Sequence, residues 1–280
     1  MQKIMVIGAG TMGLDIAQAF AAHGYDTIVS DISDEITQRA KAKLEAGLKK
    51  RVEKGKLTEE AMNGLLSNVR FTSDMLLCAD RDIVIEAIIE NVEIKKNVFR
   101  RLDELCGPET VLASNTSSIS LTEIASAVKR PERVIGMHFF NPATVMKLVE
   151  VIRGIHTSDA VYEKVTALSE SIGKTPVEVR EYPGFVVNRI LIPMINEAIG
   201  LVAENVASPE DIDTAMKLGC NHPMGPLALG DLIGLDVVLA IMDTLHTETG
   251  DPKYRAHTLL RKMVRGGLLG RKTKKGFYEY

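Results

Sequence analysis

The spacing of apolar positions along this chain changes once, near residue 182. Before that point, short apolar runs alternate with stretches of helical period. Lys3 to Ile7 is a brief apolar run that ends on glycine, the pattern of a strand buried on both faces. Thr11 to His23 predicts a helix and Asp26 to Ser30 a second strand. From Glu35 to Lys54 the spacing predicts a long helix, with Ile36, Ala40, Leu44 and Leu48 on one face. Its other face is rich in Lys, Arg and Glu. Thr58 to Leu66 reads as a further helix, opened by Thr58 ahead of Glu59 and Glu60. Strands are expected at Asn68–Thr72, Asp82–Ala87, Val111–Ser114, Arg133–Phe139, Lys147–Arg153 and Thr175–Val179. Helices are expected over Val92–Leu105, stopped by Gly107-Pro108, and over Ser158–Ile172. Asn141-Pro142 marks the turn between two of the strands.

Strands alternating with helices imply an α/β domain: a doubly wound, mostly parallel sheet covered on both faces. After Glu181-Tyr182-Pro183-Gly184 the strand period does not return until the last few residues. Phe185–Glu204, Pro209–Leu218 and Leu227–Thr247 all read as helices. The expected organisation is therefore an α/β domain over residues 1–182 and an all-helical domain over residues 183–280.

Composition changes this picture little. The 280 residues are 45% hydrophobic and 25% charged, with a net charge of -3, as in ordinary globular chains. Basic residues are spread along the sequence, so neither nucleic acid nor a membrane surface is expected as a main partner. Cys78, Cys106 and Cys220 lie far apart with no metal-ligand spacing, which points to free thiols or small core residues and to no metal site. The opening MQKIMVIGAG has no charged segment followed by a long apolar run, and no run is long enough to span a bilayer. A soluble, cytoplasmic protein is the expectation.

The first candidate chemistry is Gly8-Ala9-Gly10-Thr11-Met12-Gly13, which follows a strand and opens a helix. Gly8 permits the tight turn, Gly10 lets backbone approach a pyrophosphate, and Gly13 lets helix and strand pack closely. Thr11 and Met12 begin the helix, whose N-terminus offers unsatisfied N–H groups to phosphate. Asp31 ends the next strand and can accept from ribose hydroxyls, while repelling a 2′-phosphate. These features specify a Rossmann-type nucleotide site with NAD(H) favoured over NADP(H). A glycine-rich turn with a helix-capping Asp is the alternative.

The second is a histidine and a carboxylate inside apolar strands. MHFFNPATVMKLVEVI puts His138 at the end of one strand and Glu150 on the next. Each costs stability there unless it satisfies the other, and a carboxylate on one imidazole nitrogen makes a general base. Ser117, in SNTSS, follows a strand at the end where open α/β sheets bind ligands; a loop-capping serine is equally compatible. Asn188 interrupts the apolar Val186–Ile192 stretch and could face an interdomain cleft or simply the helix surface.

Together these segments resemble the 3-hydroxyacyl-CoA dehydrogenase family, most closely its bacterial short-chain members, across the whole chain. The resemblance is carried by VIGAGTMG, ASNTSS, GMHFFNPA, KLVEVI, PGFVVNRIL, NHPMGPLALGDLIGLD and KKGFYEY, in that order. It implies NAD-linked oxidation of a short (S)-3-hydroxyacyl-CoA, with His138 as base, Glu150 as its partner, and Ser117 and Asn188 against the substrate. It implies further cofactor contacts at Glu90, Lys95, Ser117, Asn141 and Lys272. Lys50 and Lys54 would meet the CoA phosphates, although Lys49, Lys50, Arg51 and Lys54 also read as a solvated face. It also implies a homodimer or higher homo-oligomer, formed through the helical domain. Family tails commonly read KTGxGF; here Lys274 stands in the first glycine position. A dehydrogenase of a free 3-hydroxy acid and a non-catalytic NAD-binding protein are the rival readings.

Overall fold

The computed structural model describes residues 2–280. The chain divides between Glu181 and Tyr182 into two compact units. In the first, β1 (Lys3–Ile7), α1 (Thr11–Ala21), β2 (Asp26–Ser30), α2 (Asp34–Glu53), α3 (Glu59–Ser67) and β3 (Val69–Thr72) follow one another. Next come β4 (Ile83–Glu86), α4 (Val92–Leu105), β5 (Val111–Ser114), α5 (Leu121–Ala125) and β6 (Val134–Phe139). The unit closes with β7 (Leu148–Arg153), α6 (Asp159–Ser171) and β8 (Thr175–Arg180).

The eight strands form one sheet in the order β3-β2-β1-β4-β5-β6-β7-β8. All neighbours are parallel except β6 and β7, which the short turn after Phe139 makes antiparallel. Chain order reverses beside β1, and the ligand end of such a sheet is the carboxyl end of its central strands. The central strands are buried on both faces, as their unbroken apolar runs require: Ile83–Glu86 and Val111–Ser114 are buried throughout. The expected α/β, Rossmann-type sheet is what forms.

The second unit is helical: α7 (Val187–Ala203), α8 (Pro209–Gly219), α9 (Pro226–Ile233), α10 (Leu235–Thr249) and α11 (Thr258–Arg265). Its own core includes Ile192, Ile195, Leu227, Leu235, Met242 and Leu260. The single helix expected over Leu227–Thr247 is two, because Gly234 takes φ +104° and breaks the ladder between α9 and α10. Helices α5 and α11 were not expected. The tail wraps around Asp231, which accepts from the Phe277 and Tyr278 amides at 3.1 and 3.0 Å. Lys274, at the family's glycine position, adopts φ +64° and keeps the turn that glycine would make without strain. Cys78 and Cys106 are buried, while Cys220 is exposed. No helix among the described residues is long and apolar enough to cross a membrane.

Candidate active site

The β1–α1 turn is a cradle built from glycine. Gly8 adopts φ +109°, and a Cβ there would lie 2.5 Å from the Ala87 carbonyl oxygen. A Cβ on Gly13 would sit 1.9 Å from the Gly8 carbonyl oxygen, so α1 packs against the turn only without a side chain. Around Gly10 there is open space within 4 Å. Gly10 caps α1 with no side-chain acceptor, so the N–H groups of the first turn, at Thr11, Met12 and Gly13, remain available for an anion. Asp31 leaves β2 and accepts from the Ala9 amide through Oδ2 at 2.7 Å, fastening the cradle to the second strand. These groups fit a dinucleotide: a bare backbone for the pyrophosphate, and a carboxylate at the end of β2 for ribose hydroxyls.

Beyond β4 lies a chain of ionisable groups. Glu86, the last residue of β4, is fully buried and accepts from Lys95 Nζ at 2.6 Å, Ser114 Oγ at 2.7 Å and the Ile88 amide at 2.8 Å. Lys95, on α4, is 1% exposed and also lies 3.2 Å from Glu90. Glu90 Oε1 then accepts from Thr116 Oγ1 at 2.6 Å, Ser117 N at 2.8 Å and Ser118 N at 3.1 Å. Burial pushes the Glu90 carboxyl up, but the Lys95 charge and the donors on Thr116 and Ser117 outweigh it and hold it below the usual glutamate range. The resemblance names Lys95 for the cofactor. In the structure its ammonium is engaged by two carboxylates, and it reaches Ser117 through Glu90.

His138 and Glu150 face each other directly. They are register partners of the antiparallel β6–β7 pair, with His138 Nδ1 2.8 Å from Glu150 Oε2. His138 is 6% and Glu150 1% exposed. The carboxylate fixes the imidazole orientation and favours the Nδ1–H tautomer. The Phe140 ring lies 4.6 Å from the imidazole centroid. Asn115 ties this strand end to the β5 loop by accepting from the Phe139 amide at 2.9 Å.

The remaining expected residues are more scattered. Asn141 is exposed in the β6–β7 turn. Lys50 lies in the last turn of α2, Lys54 caps it, and both are exposed. Asn188 is the second residue of α7, and Lys272 pairs with Asp236 at the start of α10; both belong to the helical unit. Glu86 and Asn115 are contacts that sequence reasoning missed. Glu86 gave a signal like that of Glu150, a carboxylate in an apolar strand, but it closes β4 whereas Glu150 lies within β7. Among the described residues no cluster of His, Cys, Asp and Glu could hold a metal.

The chain matches the 3-hydroxyacyl-CoA dehydrogenase NAD binding domain over residues 3–182 and the C-terminal domain of the same family over residues 184–280. A 3-hydroxybutyryl-CoA dehydrogenase of Clostridioides difficile is 59% identical over 278 residues, covering 99% of each chain. The human mitochondrial hydroxyacyl-coenzyme A dehydrogenase is 41% identical, over 100% of this chain and 91% of its own. The crystal structure of (S)-3-hydroxybutyryl-CoA dehydrogenase from Ralstonia eutropha superposes with a TM-score of 0.96 at 50% identity, covering 100% of this chain and 99% of that one. A nucleotide cradle on a doubly wound sheet, a helical second unit and matches to both domains along the chain lead to one conclusion: this protein is a member of the 3-hydroxyacyl-CoA dehydrogenase family.

Proposed function

We propose that the chain catalyses the reversible, NAD-linked oxidation of (S)-3-hydroxybutyryl-CoA to acetoacetyl-CoA. The observation that carries the mechanism is the 2.8 Å contact of His138 Nδ1 with Glu150 in two buried strands. The dinucleotide that the glycine turn and Asp31 would hold would supply the hydride chemistry at C3 of the acyl chain. His138 Nε2 takes the hydroxyl proton in oxidation and returns it to the developing alkoxide in reduction. Glu150 stabilises the imidazolium between those moments. Asp31 and the glycine turn hold the dinucleotide, and Glu90 sets the loop that carries Ser117. Ser117 and Asn188 are proposed as substrate contacts, Lys50 and Lys54 as partners of the CoA phosphates, and Asn141 and Lys272 as further cofactor contacts.

The deciding assay follows loss of NADH absorbance with acetoacetyl-CoA and with free acetoacetate, and repeats the first with NADPH. Rapid turnover of acetoacetyl-CoA with NADH alone is expected. Preference for free acetoacetate would move the assignment to a hydroxy-acid dehydrogenase, and no turnover of either would leave a nucleotide-binding protein. Efficient use of NADPH would remove the proposed role of Asp31.

The helical unit is proposed to dimerise, in a cytoplasmic enzyme. Ile190, on α7, and Leu218, on α8, are 67% and 82% exposed, which suits helix-on-helix association. Sedimentation at micromolar concentration should show a dimer or larger; a monomer there contradicts the proposal.

A further inference from the structure

The loop from Ser114 to Ser120 is held at two places. Glu90 holds its middle. Its far end is held by Glu181, the residue at which the sheet unit stops. The Glu181 carboxylate accepts from Ser120 Oγ at 2.6 Å, from the Thr122 amide at 3.1 and 3.2 Å, and from Thr122 Oγ1. An ionised carboxylate only accepts, so both hydroxyls must donate to it. Their lone pairs are thereby committed elsewhere. Ser120 Oγ accepts from the Glu123 amide at 3.1 Å and caps α5. Thr122 Oγ1 accepts from the Ile155 amide at 3.1 Å and ties α5 to the segment after β7. Two hydroxyls that could rotate become fixed acceptors. Glu181 is itself seated, since its amide donates to the Arg153 carbonyl at 3.0 Å at the end of β7.

We infer that Glu181 is a positioning residue of the active site: it fixes the far end of the Ser117 loop, and with it the place of the Ser117 hydroxyl against the substrate. The inference rests on the proposed contact between Ser117 and the acyl-CoA. Glu181 touches none of the cradle groups, so its effect falls on the acyl side of the reaction. Its worth also depends on its being an acceptor twice over. Glutamine fills the same volume but offers an acceptor oxygen and a donor NH2, so one of the two hydroxyls would have to accept from the side chain instead of donating to it, and its rotation would no longer be fixed by that contact.

The test compares wild type, Glu181→Gln and Glu181→Ala in three measurements: kcat and KM for acetoacetyl-CoA, the Kd of NADH by fluorescence titration, and hydrogen exchange at the Glu123 and Ile155 amides. Both variants should lose about tenfold in kcat/KM, the scale of a small misplacement at a reacting centre. NADH should bind as in wild type, and both amides should exchange faster in the alanine variant. Wild-type kcat/KM in the glutamine variant would reduce Glu181 to packing and overturn the inference. So would unchanged exchange at both amides in the alanine variant. If wild type fails to turn over acetoacetyl-CoA, the catalytic reading falls, and the exchange rates alone decide whether Glu181 anchors the loop.

Discussion

Replacing His138 with glutamine is expected to lower kcat for acetoacetyl-CoA reduction by about 10²–10⁴-fold, the usual contribution of a positioned general acid or base. Glutamine suits the test because its amide can still donate to Glu150, so the buried carboxylate keeps a partner. What disappears is the imidazole proposed to take and return the proton. NADH should therefore bind as before, through a cradle on β1 and β2 that His138 does not build. Turnover close to wild type would remove His138 from the mechanism. Glu150→Gln should cost less, because the imidazole stays in place but loses the charge that stabilises its protonated form. A glutamine at 150 can also present its amide hydrogens to Nδ1 and favour the wrong tautomer, so the loss should appear in kcat more than in KM.

How far the sequence discloses this arrangement depends on the length scale of each signal. The strands Val111–Ser114 and Asp26–Ser30 fall where the sequence predicts them, because each is built around a short apolar run that is buried. The His138–Glu150 pair was legible because two polar residues in apolar strands ask for each other, and a short turn makes the strands neighbours. Glu86 sent the same signal but closes its strand, where a polar residue reads as the start of a loop. The division between α9 and α10 was not legible. Apolar residues run straight through Gly234, and only its positive φ marks the break. The short helix α5, 5 residues long, lies below the length at which a 3.6-residue period can be recognised. Lys95 shows a different limit. Similarity named it for the cofactor, but nothing in its own segment shows that two carboxylates, one 9 residues before it in sequence, enclose its ammonium.

That enclosure gives the largest expected effect on stability. Lys95→Met should destabilise the protein by about 3–5 kcal/mol, the range for removing one partner of a buried ion pair. Methionine fills much of the space, so the cost is electrostatic: Glu86 is fully buried and would keep only the Ser114 hydroxyl and the Ile88 amide. The double variant Glu86→Gln/Lys95→Met removes both charges and should recover most of the loss, since replacing a whole buried pair is often near neutral. Glu90 supplies a second readout with a definite sign. Its folded-state pKa is depressed, so its clamp on the Ser117 loop contributes stability above the ordinary glutamate range, and that stability is lost as pH falls through the depressed value. Without Lys95, burial still pushes the carboxyl up while the strongest opposing charge is gone. Acid unfolding of Lys95→Met should therefore begin at a higher pH than in wild type, and the double variant should share that shift even where its stability at neutral pH has recovered. Urea unfolding across a pH series separates the two effects. A loss below about 1 kcal/mol in the single variant, the size of an exposed pair, would show that the ammonium is not enclosed as the structure has it.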